Sequence, residues 1–197
     1  MKQILPILTL TTLTAAAFAD AGAAAPAAAA SGLNYNRVGI SRSGQDTNLS
    51  ASTLLGSSNI LASVETVSAG AGLSTLVSNG SGDAVVMSLG YVFKNVAAGV
   101  DATLTVGAGN EAVGSLVGVN LRRALNEVVS GLEIAIGYKM QEVDADQYGS
   151  KLKVSSWTYE LAYNINKQYS VAYSLSDFGN DASSLDNRHT VSVRYNF

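Results

Sequence analysis

The stretch "AVVMSLGYVFKNVAAGVDATLTV" (residues 84–106) constrains the fold more than any other part of the chain. Side chains alternate between the two faces of an extended strand. Val85, Met87, Leu89, Tyr91 and Phe93 therefore share one face. A turn is expected at Lys94-Asn95, after which Val96, Ala98, Val100, Ala102, Leu104 and Val106 share one face of a returning strand. The opposite face carries Ser88, Gly90, Gly99, Asp101, Thr103 and Thr105. A hairpin with one apolar and one small, polar face fits two architectures. In a soluble sandwich the apolar face packs inward, and in a membrane barrel it points outward.

Strand length and charge separate the two. The alternating segments run to about ten residues, the length needed to cross a bilayer core at a tilt, whereas strands of ordinary globular sheets cluster near five or six. Aromatics gather toward the ends of the apolar faces, at Tyr91, Phe93, Tyr138, Tyr163, Tyr169, Tyr195 and Phe197, as in the girdles of membrane barrels. The other face carries Asp101, Glu133, Lys139, Glu160 and Arg194, charges that a sandwich core would have to bury. The sequence therefore predicts an all-β, antiparallel up-and-down transmembrane barrel.

The start of the chain fits export. "MKQILPILTLTTLTAAAFA" has a positive Lys2, a short apolar run from Ile4 to Leu13, and small residues ending in Ala17-Phe18-Ala19. These are the parts of a secretory signal peptide, so residues 1–19 are expected to be removed. "DAGAAAPAAAASG" makes residues 20–32 an Ala-rich linker, and 33–197 the barrel. A net charge of −3 gives no basic excess for nucleic-acid binding. The absence of Cys excludes disulfides and thiolate metal sites.

The chain closes on "HTVSVRYNF", with Val191, Val193, Tyr195 and Phe197 on one face. With the signal peptide and the alternating strands, this ending resembles small bacterial outer-membrane β-barrels, the outer membrane protein A-like and small porin-like group. The resemblance implies that Val191, Val193, Tyr195 and Phe197 form the signal read by the outer-membrane assembly machinery. It also implies a cell outer-membrane location, with outer-membrane lipids as the other partner. No soluble periplasmic domain follows the barrel pattern.

Short connections at Lys94-Asn95, Ala124-Leu125-Asn126 and Ile165-Asn166-Lys167 read as periplasmic turns. "GAGNE", "QEVDADQYGSK" and "DFGNDASSLDNR" read as outer loops. Parity requires an even strand number, and "TNLSASTLL" with its following "GSSN" turn brings the count to ten, with eight as the alternative. In "KLKVSSWTYELAY" the apolar phase shifts between Val154 and Trp157, which predicts either a bulge at Ser155-Ser156 or Leu152 and Val154 standing above the membrane. Acidic residues concentrate in the outer loops, as expected of solvated loops in an acidic chain. "DADQYG" lacks the later carboxylate of a calcium loop.

Inside the barrel, Glu133, Glu160 and Asp101 are expected to face Arg194, Lys139 and Arg37, because isolated charges in a narrow lumen are costly. His189 lies in phase with Val191 and Val193, away from the lumen, and no nucleophile pattern accompanies it. An enzyme is not expected, nor is a cofactor or metal. The sequence is read as a structural or surface-interacting outer-membrane barrel with a narrow, plugged lumen. A small diffusion channel and a surface adhesin acting through the outer loops remain as alternatives.

Overall fold

A computed structural model describes residues 32–44, 46–67, 84–110, 113–145, 150–178 and 187–197. The segments read as signal peptide and Ala-rich linker, apart from Gly32, lie outside these residues, as do the tips of the outer loops. Ten strands form one closed antiparallel barrel: β1 (Arg37–Ser43), β2 (Asp46–Leu54), β3 (Ile60–Val67), β4 (Ala84–Ala97), β5 (Val100–Gly109), β6 (Val113–Ala124), β7 (Leu132–Ala145), β8 (Ser150–Asn164), β9 (Tyr169–Phe178) and β10 (Arg188–Asn196). Each strand pairs with its sequence neighbours, and β1 closes the sheet on β10 from Arg37↔Asn196 to Arg42↔Val191. Closure leaves no edge with unpaired backbone groups. The expected ten-strand reading is the one observed.

The barrel is inside-out relative to a soluble domain. Met87, Leu89, Tyr91, Phe93, Leu104, Val106, Ile134, Ile136, Trp157, Tyr159 and Leu161 are exposed on the outer face. The alternate residues Val92, Asp101, Thr103, Glu133 and Ala135 are buried inside. Rings pair across the outer surface at Tyr138–Trp157 and Tyr169–Tyr195. The outer face is less uniform over β2 and β3, where Ala51, Ala62 and Val64 hold the outward register but are buried.

Residues 32–36 and Phe197 lie at the same end of the barrel, here the proximal end, with the connections 55–59, 98–99, 125–131 and 165–168. The opposite strand ends, among them Ser43, Val67, Gly109, Ala145 and Phe178, mark the distal end.

Two local expectations change. The turn after β4 is not at Lys94-Asn95. The strand runs on through a register shift between Phe93 and Ala97, and the chain reverses at Ala98-Gly99, with Ala97 opposite Val100. Val96 and Ala98 therefore do not belong to the returning strand. Asn95 and Ala98 adopt left-handed conformations, with φ of 52° and 48°, which non-glycine residues hold only when neighbours fix them. At Asn95 the fixing is visible: its N–H donates to Asp101 Oδ1 at 2.8 Å, and its side-chain oxygen accepts from Gly99 N–H at 3.0 Å.

In β8 no bulge occurs. Pairing with β7 runs unbroken from Leu132↔Tyr163 to Ala145↔Ser150, and pairing with β9 is equally regular. Val154 simply points inward, where it is buried. The phase shift in the sequence marks an apolar residue on the lumen side.

Candidate functional site: a lumen stoppered at one end

Alternation puts the even-numbered positions of β6 inside, because Val117, Val119 and Leu121 are exposed outside. Arg122 is thus carried into the lumen, while Arg123 stays at the surface beside Glu127. The neighbouring strand β7 places Glu133 within reach. Arg122 Nη2 donates to Glu133 Oε2 at 2.8 Å, and both side chains are more than nine-tenths buried. Asn164 Nδ2 satisfies the other Glu133 oxygen at 2.7 Å.

The segment before β1 turns into the same space. Leu33 and Tyr35 pack with Leu54 and Val92 in one buried cluster, against Leu61 and Ala124. The Tyr35 hydroxyl donates to Asp101 Oδ2 at 2.9 Å. The Arg122 guanidinium lies over the Tyr35 ring, 4.9 Å from its centroid, a cation–π contact in a desolvated setting. Arg122 Nη1 also donates to the Asn34 carbonyl at 3.2 Å. Asp101, which Tyr35 and the Asn95 backbone both address, is completely buried. These side chains are packed together and buried at the proximal end of the barrel interior.

A second pair lies among β8, β10 and β1. Arg194 meets Glu160 through both guanidinium nitrogens, with Nη1 to Oε1 at 2.8 Å and Nη2 to Oε2, the bidentate geometry in which such pairs are strongest. Gly39 makes room for it, since a Cβ there would sit 3.2 Å from Arg194 Cγ and 3.3 Å from the Val193 carbonyl. Arg37 shares this region, within electrostatic reach of Arg122, Arg194, Glu160 and Glu133.

Elsewhere in the lumen the ion pairs are looser. Lys139 approaches Glu65 at 3.8 Å, with 41% and 46% of the two side chains exposed. Arg188 approaches Asp46 at 3.8 Å. An apolar cluster of Ala84, Val86, Val113 and Leu116 lines the distal part of β4 and β6.

The residues singled out from sequence thus take particular partners. Arg194 and Glu160 come together. Glu133 takes Arg122, Asp101 takes Tyr35, and Lys139 takes Glu65. The phase of β6 contained the signal for Arg122, which its position beside a turn obscured. Tyr35 stands outside any alternating run, so no local pattern announced it. Val191, Val193, Tyr195 and Phe197 all lie exposed on the outer surface. His189 also points outward, with its Nδ1 hydrogen-bonded to the Tyr173 hydroxyl.

No protein-family model matches the chain, and no curated protein sequence matches it. Among solved structures, the chain is similar to the NanC porin, at 14% identity and a TM-score of 0.50, over 82% of this chain and 98% of that one. The KdgM porin, solved in complex with disordered oligogalacturonate, aligns at 14% identity and a TM-score of 0.48, over 82% and 99% of the two chains. OccAB3 of Acinetobacter baumannii aligns at 14% identity and a TM-score of 0.42, over 84% of this chain and 50% of that one. At 14% identity the likeness to the NanC porin is one of fold, a closed antiparallel β-barrel.

The buried pair yields a prediction. Glu133→Ala leaves Arg122 inside without its carboxylate and should destabilise the folded barrel by about 3–5 kcal/mol, as breaking a buried pair does. Glu65→Ala removes a half-exposed, loosely spaced partner and should cost under about 1 kcal/mol. Urea unfolding midpoints in lipid vesicles separate the two, and equal shifts would refute the assignment of Arg122–Glu133 as the buried pair.

Proposed function

We propose that the chain is a porin-like barrel of a bacterial outer membrane whose lumen is closed at its proximal end. The observation that carries this reading is the pairing of a closed ten-stranded sheet, apolar on its outside, with a packed proximal interior built from Leu33, Tyr35, Leu54 and Val92. Only a closed sheet satisfies its backbone within hydrocarbon, and only lipid makes such an exterior favourable. The likeness to the NanC porin supports the location through the fold.

Ten strands lie near the narrow limit of barrels, since about eight leave room only for side chains and open aqueous channels appear near sixteen. The Arg194–Glu160 pair and the proximal cluster occupy much of what remains. The resting protein is therefore a membrane barrel that does not pass sugars or amino acids. A small diffusion channel is the second reading, favoured by the half exposure of the Lys139–Glu65 pair. The adhesin reading rests on loop tips outside the described residues.

Two outcomes are expected. Liposomes containing the purified protein should not swell in isosmotic arabinose or glycine, and rapid swelling would replace the closed-lumen reading with that of an open pore. The exposed row Val191, Val193, Tyr195 and Phe197 is the surface proposed for recognition by the assembly machinery. Deleting Phe197 should lower the amount of barrel assembled in the outer membrane far more than the unfolding midpoint of barrel already formed, and equal losses would make Phe197 a packing residue only.

A further inference from the structure

We infer that residues 33–35 are a removable stopper, an autoinhibitory segment whose departure opens the barrel at its proximal end. This inference rests on the closed-lumen reading and adds that one segment does the closing.

The stopper stands apart from the sheet. The first strand begins at Arg37, and residues 32–36 take no part in the strand ladder. A hinge is marked at Asn36: its carbonyl accepts from Phe197 N–H at 3.1 Å, and its side-chain oxygen accepts from Leu54 N–H at 2.9 Å and the Thr53 hydroxyl at 3.0 Å. Beyond this hinge toward the start of the chain, the polar attachments include the Tyr35 hydroxyl to Asp101, the Ser52 hydroxyl to the Tyr35 carbonyl at 2.8 Å, Arg122 to the Asn34 carbonyl, and the Asn36 N–H to the Asn34 side-chain oxygen at 2.8 Å. Residues 33–35 can therefore swing out about Asn36 without breaking any strand pairing.

The stopper fits well but not fully. Leu33 and Tyr35 are each only 4% exposed, within the buried proximal cluster. Arg122, however, divides its donors between Glu133 and Asn34 while its Nε stays buried without an acceptor. An unsatisfied buried donor is costly, and water entering the vacated mouth would hydrate it. Withdrawal of Tyr35 leaves Asp101 and the Arg122–Glu133 pair lining the opening, so the open state has a charged rim.

Planar-bilayer recording of the full chain tests this, since the lumen is read directly. The unaltered protein should be closed, with rare brief openings. Tyr35→Phe keeps the ring and removes the bond to Asp101, and should raise the fraction of time open by about three- to tenfold, the equivalent of one hydrogen bond. Tyr35→Ala should raise it further, with the same single-channel conductance when open. If Tyr35→Ala does not fold, Tyr35→Phe and Ser52→Ala carry the test. Silence of all three variants overturns the stopper. If only Arg194→Ala or Glu160→Ala conducts, the lumen pair does the closing, which overturns the stopper and leaves the closed-lumen reading standing. Steady conductance of the unaltered protein overturns both.

Discussion

The structure depends on one constraint, that every backbone N–H and C=O of an extended chain must find a partner without help from water. The pairing of β1 with β10 meets it by removing the sheet's edges. Once the edges are gone, the outer surface is free to be apolar, because no polar backbone is left on it to solvate. Met87, Leu89, Leu104 and Val106 on that surface would be a liability on a soluble protein. On a barrel in lipid they are the main stabilising area.

Closing the sheet creates the second problem, an interior lined by polar and charged side chains that must find partners. The chain solves it differently along the lumen. At the proximal end the filling is a side-chain cluster with a hydrogen-bonded centre, where Tyr35, Asp101, Arg122, Glu133 and Asn164 bond one another and the Arg122 Nε alone of that guanidinium lacks an acceptor. Around β8 and β10 a bidentate pair does the work. At Lys139 and Glu65 the charges are far enough apart and exposed enough to contribute little to stability.

Much of this was legible in the sequence, because a barrel spanning lipid imposes a period of two on every strand. The outer face of β4 and the inward placing of Glu133, Asp101 and Glu160 follow from alternation alone. What was not legible came from tertiary context. Val92 and Val154 are apolar yet inward, and the alternation rule has no way to tell a lumen-filling valine from a lipid-facing one out of phase. The turn after β4 was misplaced because Lys94-Asn95 has turn chemistry, while the actual reversal at Ala98-Gly99 depends on contacts from Asp101 and Asn95. On β2 and β3 the outward side chains are short, so the two faces of "TNLSASTLL" differ little. Tyr35 sits in a segment with no period at all, and only the folded barrel shows what it fills.

The central claim is that the outer face of the barrel meets lipid, and the chain's single tryptophan reports on it directly. Trp157 lies on that face, 47% exposed, with its ring tilted against that of Tyr138. In vesicles of phospholipids brominated along the acyl chain, Trp157 fluorescence should be quenched strongly by the brominated lipid and hardly at all by aqueous iodide. Strong quenching by iodide with none by brominated lipid would place this face in water and contradict the account.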